Sequence, residues 1–154
     1  MKQEDAAKKP DPQGAFKDHE FWMRLAQKKM EVTGSVEAGL DFLRSGLSYN
    51  KSNAYLMYNF ACANERLGNY EKAMRFFQYA QRAKPRWTDA VFGEALAHFK
   101  LKDFTSAEAC VELALETYVE GSIESEDALK FFKAMCYKNL GQYEKASTSY
   151  TELK

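Results

Sequence analysis

Few residues of this chain have the type and spacing for chemistry. There are three cysteines, Cys62, Cys110 and Cys136, and two histidines, His19 and His98. No two cysteines form a CxxC pair, and an odd count is a poor disulfide framework. They read as small apolar fillers in a reducing interior such as cytosol, nucleus or cilium. Neither histidine has a metal-ligating neighbour at a zinc-site spacing, so the sequence predicts no metal. It contains no phosphate-cradling glycine loop and no HExxH, and no nucleophile stands beside His19 or His98 in a recognisable setting. Paired acids fall in linkers or on faces that solvent would cover. The expectation is a protein without catalytic residues and without a cofactor.

Charge and composition narrow the remaining classes. Lys plus Arg is 22 and Asp plus Glu is 22 in a chain of 154 residues. A net charge of zero lacks the cationic excess that displaces counterions from nucleic acid, or that anchors a chain on anionic lipid. No apolar run approaches the ~20 residues of a membrane helix. Met1 to Pro10 is charged and has no apolar core of a signal peptide. With 45% apolar residues, including 11 Phe and 9 Tyr, a buried core is expected.

The elements that must position any site are helices. Residues 1–19 are rich in charge, Pro10, Pro12 and Gly14, and read as a flexible tail with Phe16 as its one docking candidate. Beyond Glu20, apolar residues recur at three and four spacing, which predicts helices throughout. The strings Asn69-Tyr70-Glu71-Lys72-Ala73 and Gln142-Tyr143-Glu144-Lys145-Ala146 are nearly identical, and each follows Leu-Gly. Asp103-Phe104-Thr105-Ser106-Ala107 lies between them, with Phe104 34 residues after Tyr70 and 39 before Tyr143.

Several columns share this period. Gly34, Gly68, Lys102 and Gly141 form a turn column. Val36, Tyr70, Phe104 and Tyr143 follow it. Small residues recur at Gly39, Ala73, Ala107 and Ala146, and again at Gly46, Ala80 and Ala114, where the fourth unit has Leu153. Pro85 stands where a repeat would close. The chain thereby resembles the tetratricopeptide-repeat (TPR) family over residues 20–154. That resemblance implies an all-α fold, an alpha-alpha superhelix of about four helical hairpins. The repeats are expected near 20–53, 54–87, 88–126 and 127–154, the third carrying a five-residue insertion. Helices are expected near 20–32, 36–49, 53–66, 70–83, 87–101, 104–119, 124–139 and 143–153. Lys102 in place of glycine predicts a slightly strained turn. Glu94 and Lys133 replace an apolar residue and leave the rotation of their helices open.

The family's first helices line a concave groove that binds peptides. Carried over position by position, that groove takes Phe21, Arg24, Leu25 and Lys28, then Tyr55, Tyr58, Asn59 and Cys62. The third repeat adds Asp89, Phe92, Gly93 and Leu96, and the fourth Ala128, Phe131, Phe132 and Met135. We single out Arg24, Lys28, Tyr55, Tyr58, Asn59, Phe92, Leu96, Phe131, Phe132 and Met135 as candidate partner-binding residues. So apolar a groove suits an apolar-anchored peptide or an amphipathic helix, although some of these aromatics would serve the core if the first helices are rotated.

The family's carboxylate clamp for heat-shock chaperones does not fit. Its positions fall on Arg24, Lys28, Asn59, Asp89 and Gly93, and only Asn59 agrees in type. The expected function is a protein-interaction adaptor or scaffold in a larger assembly. The alternative is a dedicated chaperone or co-chaperone for a client's apolar segment. Nothing in the repeat pattern covers Ala146, Tyr150 and Leu153, so further chain, a second copy or a partner is expected there.

Overall fold

Short polar side chains begin most of the helices by taking amides that have no partner in the first turn. In this computed structural model, which describes residues 18–153, Asp18 accepts from the Glu20 amide at 2.9 Å and starts α1, His19–Thr33. Ser35 opens α2, Val36–Tyr49, and Asn53 opens α3, Ala54–Arg66. Helix α4 spans Tyr70–Ala83 and ends two residues before Pro85, which cannot supply a helical amide. Helix α5 is Thr88–Lys100. Asp103 caps α6, Phe104–Thr117, and Ser125 caps α7, Glu126–Asn139. Helix α8 is Tyr143–Thr151. Eight helices and no strand occur among the described residues, each helix within two residues of its expected bounds. The expected flexible tail lies, but for Asp18 and His19, outside the described residues.

The helices pair into four antiparallel hairpins, α1–α2, α3–α4, α5–α6 and α7–α8, and each hairpin packs on the next. The turn column explains the reversals within them. Gly34, Gly68 and Gly141 have φ of 68°, 81° and 76°, and Lys102 adopts 64° in the same place. The left-handed conformation costs a residue with a Cβ, so the expected strain at Lys102 is present.

Small residues let the helices approach. Ala61, Ala95 and Ala134 on the first helices, and Ala73 and Ala107 on the second, have no exposed surface. Gly46 makes room for a larger neighbour, since a Cβ there would come within 2.7 Å of the Trp22 indole. The first repeat thus has glycine where the next two have Ala80 and Ala114, and Trp22 takes the space. Glu94 and Lys133 are also settled. Glu94 accepts hydrogen bonds from Gln78 and Gln81 of α4, and Lys133 pairs with Glu112 of α6. Both face the preceding hairpin, where polar partners await them. No helix among the described residues is long and apolar enough to cross a membrane.

Candidate partner-binding groove

First helices α1, α3 and α5 lie side by side. A cleft of about 300 Å³ opens between α1 and α3, lined by Met23, Gln27, Met30, Asn59, Cys62 and Arg66. A smaller one of about 80 Å³ lies between α3 and α5, lined by Tyr58, Cys62, Glu65, Phe92 and Leu96, with Phe77 also in its wall. Cys62 belongs to both, so the two clefts run on from each other along one face.

The insertion between the third and fourth hairpins closes one side. Asp89 Oδ1 accepts the Ile123 amide at 2.8 Å, which brings Ile123 and Glu124 to the edge of the smaller cleft. Gly93 is equally committed, because a methyl there would overlap the Phe77 ring. These two contacts give physical reasons for the residues that break the carboxylate-clamp pattern. Asp89 anchors a loop, and Gly93 lets α5 settle on α4.

An aromatic cluster stands at the start of α3. Tyr55, 39% exposed, lies 5.2 Å from Trp87 between ring centroids and stacks on His19 at 4.8 Å. Tyr58 reaches Trp87 at 4.7 Å. Lys84 Nζ sits 4.5 Å from the Trp87 centroid and 3.2 Å from the Tyr55 hydroxyl. A cation over two aromatic faces is mutually stabilising. Sequence reasoning passed over Trp87 because it lies between repeats, outside every recurring column.

The expected groove residues divide into groups. Tyr58, Phe92 and Leu96 share the smaller cleft, while Asn59 lines the larger one and donates to the Tyr55 carbonyl at 2.8 Å. Phe132 is 6% exposed and meets both Phe92 and Phe99 at 5.2 Å, so it fills the space between α5 and α7. Phe131 lines neither of these clefts but is 46% exposed, with its ring against Tyr150 at 5.6 Å. Met135 is half-buried on α7. Arg24 and Lys28 stand in solvent and line neither of these clefts; Arg24 lies 3.9 Å from Glu20.

The thiols are poor nucleophiles. Burial pushes Cys62 up to about 11, and Cys110 and Cys136 up to about 12. A reactive cysteine needs the opposite shift. Burial, with Cys62 beside it, also raises Tyr58 and keeps its hydroxyl protonated. His98 corrects the sequence reading that gave it no neighbour: the fold sets Glu94 and Cys110 close to its ring.

A family model described as tetratricopeptide repeat matches residues 54–86 and 128–153, which are hairpins two and four. Those two hairpins are tetratricopeptide repeats. No curated protein sequence matches it. Among solved structures, the chain resembles MamA with a TM-score of 0.76 at 15% identity, over 88% of this chain and 75% of MamA. YrrB, described as a TPR protein with an unusual peptide-binding site, gives 0.71 at 21% identity, over 88% of this chain and 66% of YrrB. The TPR domain of Sgt2 from Aspergillus fumigatus gives 0.69 at 22% identity, over 88% of this chain and 84% of that domain. At these identities the likeness is one of fold. TPR solenoids serve in general as scaffolds for protein interaction.

Proposed function

We propose that this chain is a non-catalytic adaptor that receives a partner's extended peptide or helix along the clefts between its first helices. The cleft between α3 and α5 carries the proposal. Tyr58, Phe92 and Leu96 offer it an apolar lining, and Asp89 holds Ile123 at its edge. A partner with a bulky apolar anchor fits that chemistry. The exposed rings of Tyr55 and Phe131 would extend the contact toward either end of the stack. YrrB supports the reading, as a similar solenoid described with a peptide-binding site.

The test compares affinity with stability on the same variants. A partner recovered from native extract with the wild-type chain is titrated against Phe92→Ala, Phe131→Ala and Phe132→Ala. Phe92→Ala and Phe131→Ala are expected to weaken binding by about 1–4 kcal/mol. Phe132→Ala is expected instead to lower folding stability by about 3–5 kcal/mol. Unchanged affinity for Phe92→Ala and Phe131→Ala in folded protein would contradict the proposal.

A further inference from the structure

The interior of hairpin three brings together a carboxylate, an imidazole and a thiol that lie outside the groove. Glu94 and His98 lie four residues apart on α5 and therefore share a face. Cys110 reaches them from α6 across the hairpin. One ligand atom from each, a carboxylate oxygen, an imidazole nitrogen and the sulfur, all lie within 4.8 Å of one another. The Glu94 side chain is 12% exposed and that of His98 15%.

Second partners hold these groups in place. Gln78 and Gln81 of α4 donate to the two Glu94 oxygens at 2.9 and 3.2 Å. His98 turns Nε2 toward Glu94 at 3.7 Å and Nδ1 toward Asp103 Oδ2 at 3.8 Å. A carboxylate behind a histidine is the usual way to aim the opposite ring nitrogen at a metal. Gln78 and Gln81 already satisfy Glu94, and the Cys110 thiol adds a further hydrogen bond to it, so hydrogen bonding to Glu94 does not call for a histidine there as well. Cys110 also packs against the apolar core around Val91, Ala107 and Val111, but apolar packing does not call for a carboxylate and an imidazole beside it. The positions 34 residues earlier are Phe60, Asn64 and Phe76, where two rings fill the same space.

We propose that Glu94, His98 and Cys110 bind a zinc ion, with water in the fourth position. A sulfur, nitrogen and oxygen set suits zinc, whereas calcium and magnesium select oxygen ligands. On binding, the thiol S–H bond breaks, the sulfur–zinc bond forms and the proton leaves to solvent. Carboxylate, thiolate and neutral imidazole then balance the two positive charges inside a largely enclosed site. The ion ties α5 to α6 across the turn in which Lys102 replaces glycine, so it stabilises the folded chain by mass action.

The whole chain, reduced and stripped with chelator, is titrated with Co²⁺ as a spectroscopic stand-in and then with Zn²⁺. The expected result is one Co²⁺ per chain with a thiolate-to-cobalt charge-transfer band that Zn²⁺ abolishes, and a higher Tm with Zn²⁺. Cys110→Ser and His98→Asn, the second of which installs the residue of hairpin two, should lose both effects while keeping the helical circular dichroism of the stripped wild type. Cys62→Ser should retain them. Asp103→Asn keeps a residue that can cap α6 and should weaken binding by about 10–100-fold. A wild-type chain that gives no thiolate band, or a band that survives in Cys110→Ser, would overturn the proposal, and the wild-type result stands even if a variant fails to fold.

Discussion

At the place where hairpin two puts Phe60, Asn64 and Phe76, hairpin three puts Glu94, His98 and Cys110, each 34 residues later. In hairpin two the rings of Phe60 and Phe76 meet at 4.6 Å, and buried Asn64 donates to the Phe60 carbonyl at 2.8 Å. In hairpin three a carboxylate, an imidazole and a thiol converge. The turns differ as well, with Gly68 at φ 81° in one and Lys102 at 64° in the other. Yet the backbones pair alike, because Ala61 and Ala73 in one, and Ala95 and Ala107 in the other, are fully buried where the helices cross. The alanine columns set the helix spacing. Once it is set, the adjoining positions are free to vary in chemistry, provided that each polar group finds a partner.

The largest expected effect breaks the joint between these two hairpins. Phe77 is buried in α4, lies against Tyr58 at 5.6 Å and occupies the space that Gly93 leaves open. Phe77→Ala should cost about 3–5 kcal/mol. Denaturant melts followed by hydrogen exchange should show α3 to α6 losing protection together. Loss confined to hairpin two would mean that the hairpins are not coupled through this ring. Gly93→Ala approaches the same joint from the other side and should cost about 1–3 kcal/mol through overpacking. Adding Phe77→Leu should recover part of that loss in a double-mutant cycle, and strict additivity would show that the ring is not what the methyl meets.

Lys102→Gly makes the third turn like the second. Relief of the left-handed conformation should stabilise the chain by about 0.5–1 kcal/mol, read as a higher Tm. A lower Tm would show that the Lys102 side chain contributes more than its backbone costs.

The smallest effect depends on pH. Asp103 accepts the Ser106 amide at 3.2 Å, while its counterpart Asn69 makes no side-chain cap. The Ser106 hydrogen bonds hold the Asp103 carboxyl below its ordinary value. A depressed folded pKa contributes stability that is present above the unfolded value and lost as pH falls through the folded one. Exchange protection at the start of α6 should therefore drop below about pH 4, the ordinary range of Asp. Protection at the start of α4 should change less. Asp103→Asn should remove the difference.

The period and the turn, aromatic and alanine columns carried most of the fold in the sequence. They place every helix within two residues, because glycine, proline and capping residues mark boundaries locally. The chemistry between elements was less legible. Glu94 departs from the family pattern, and its meaning depends on two glutamines one helix earlier that no period marks. Asp89 and Gly93 fall in groove columns, yet one holds the insertion and the other admits Phe77. Trp87 and Ile123 join the aromatic cluster and the cleft from connecting segments, where the repeat has no column to carry them. Phe132 occupies a groove column too, but α5 lies close enough to cover it with Phe92 and Phe99.

The most direct test of the adaptor reading locates the partner on the solenoid. A photoreactive residue is placed at Leu96, in the cleft between α3 and α5, or at Leu113, exposed on α6. Each protein is irradiated with native extract and the adducts are identified. The account predicts a discrete adduct at Leu96, reduced by Phe92→Ala and absent at Leu113. An adduct of the same protein formed equally well at Leu113, or only there, would contradict it.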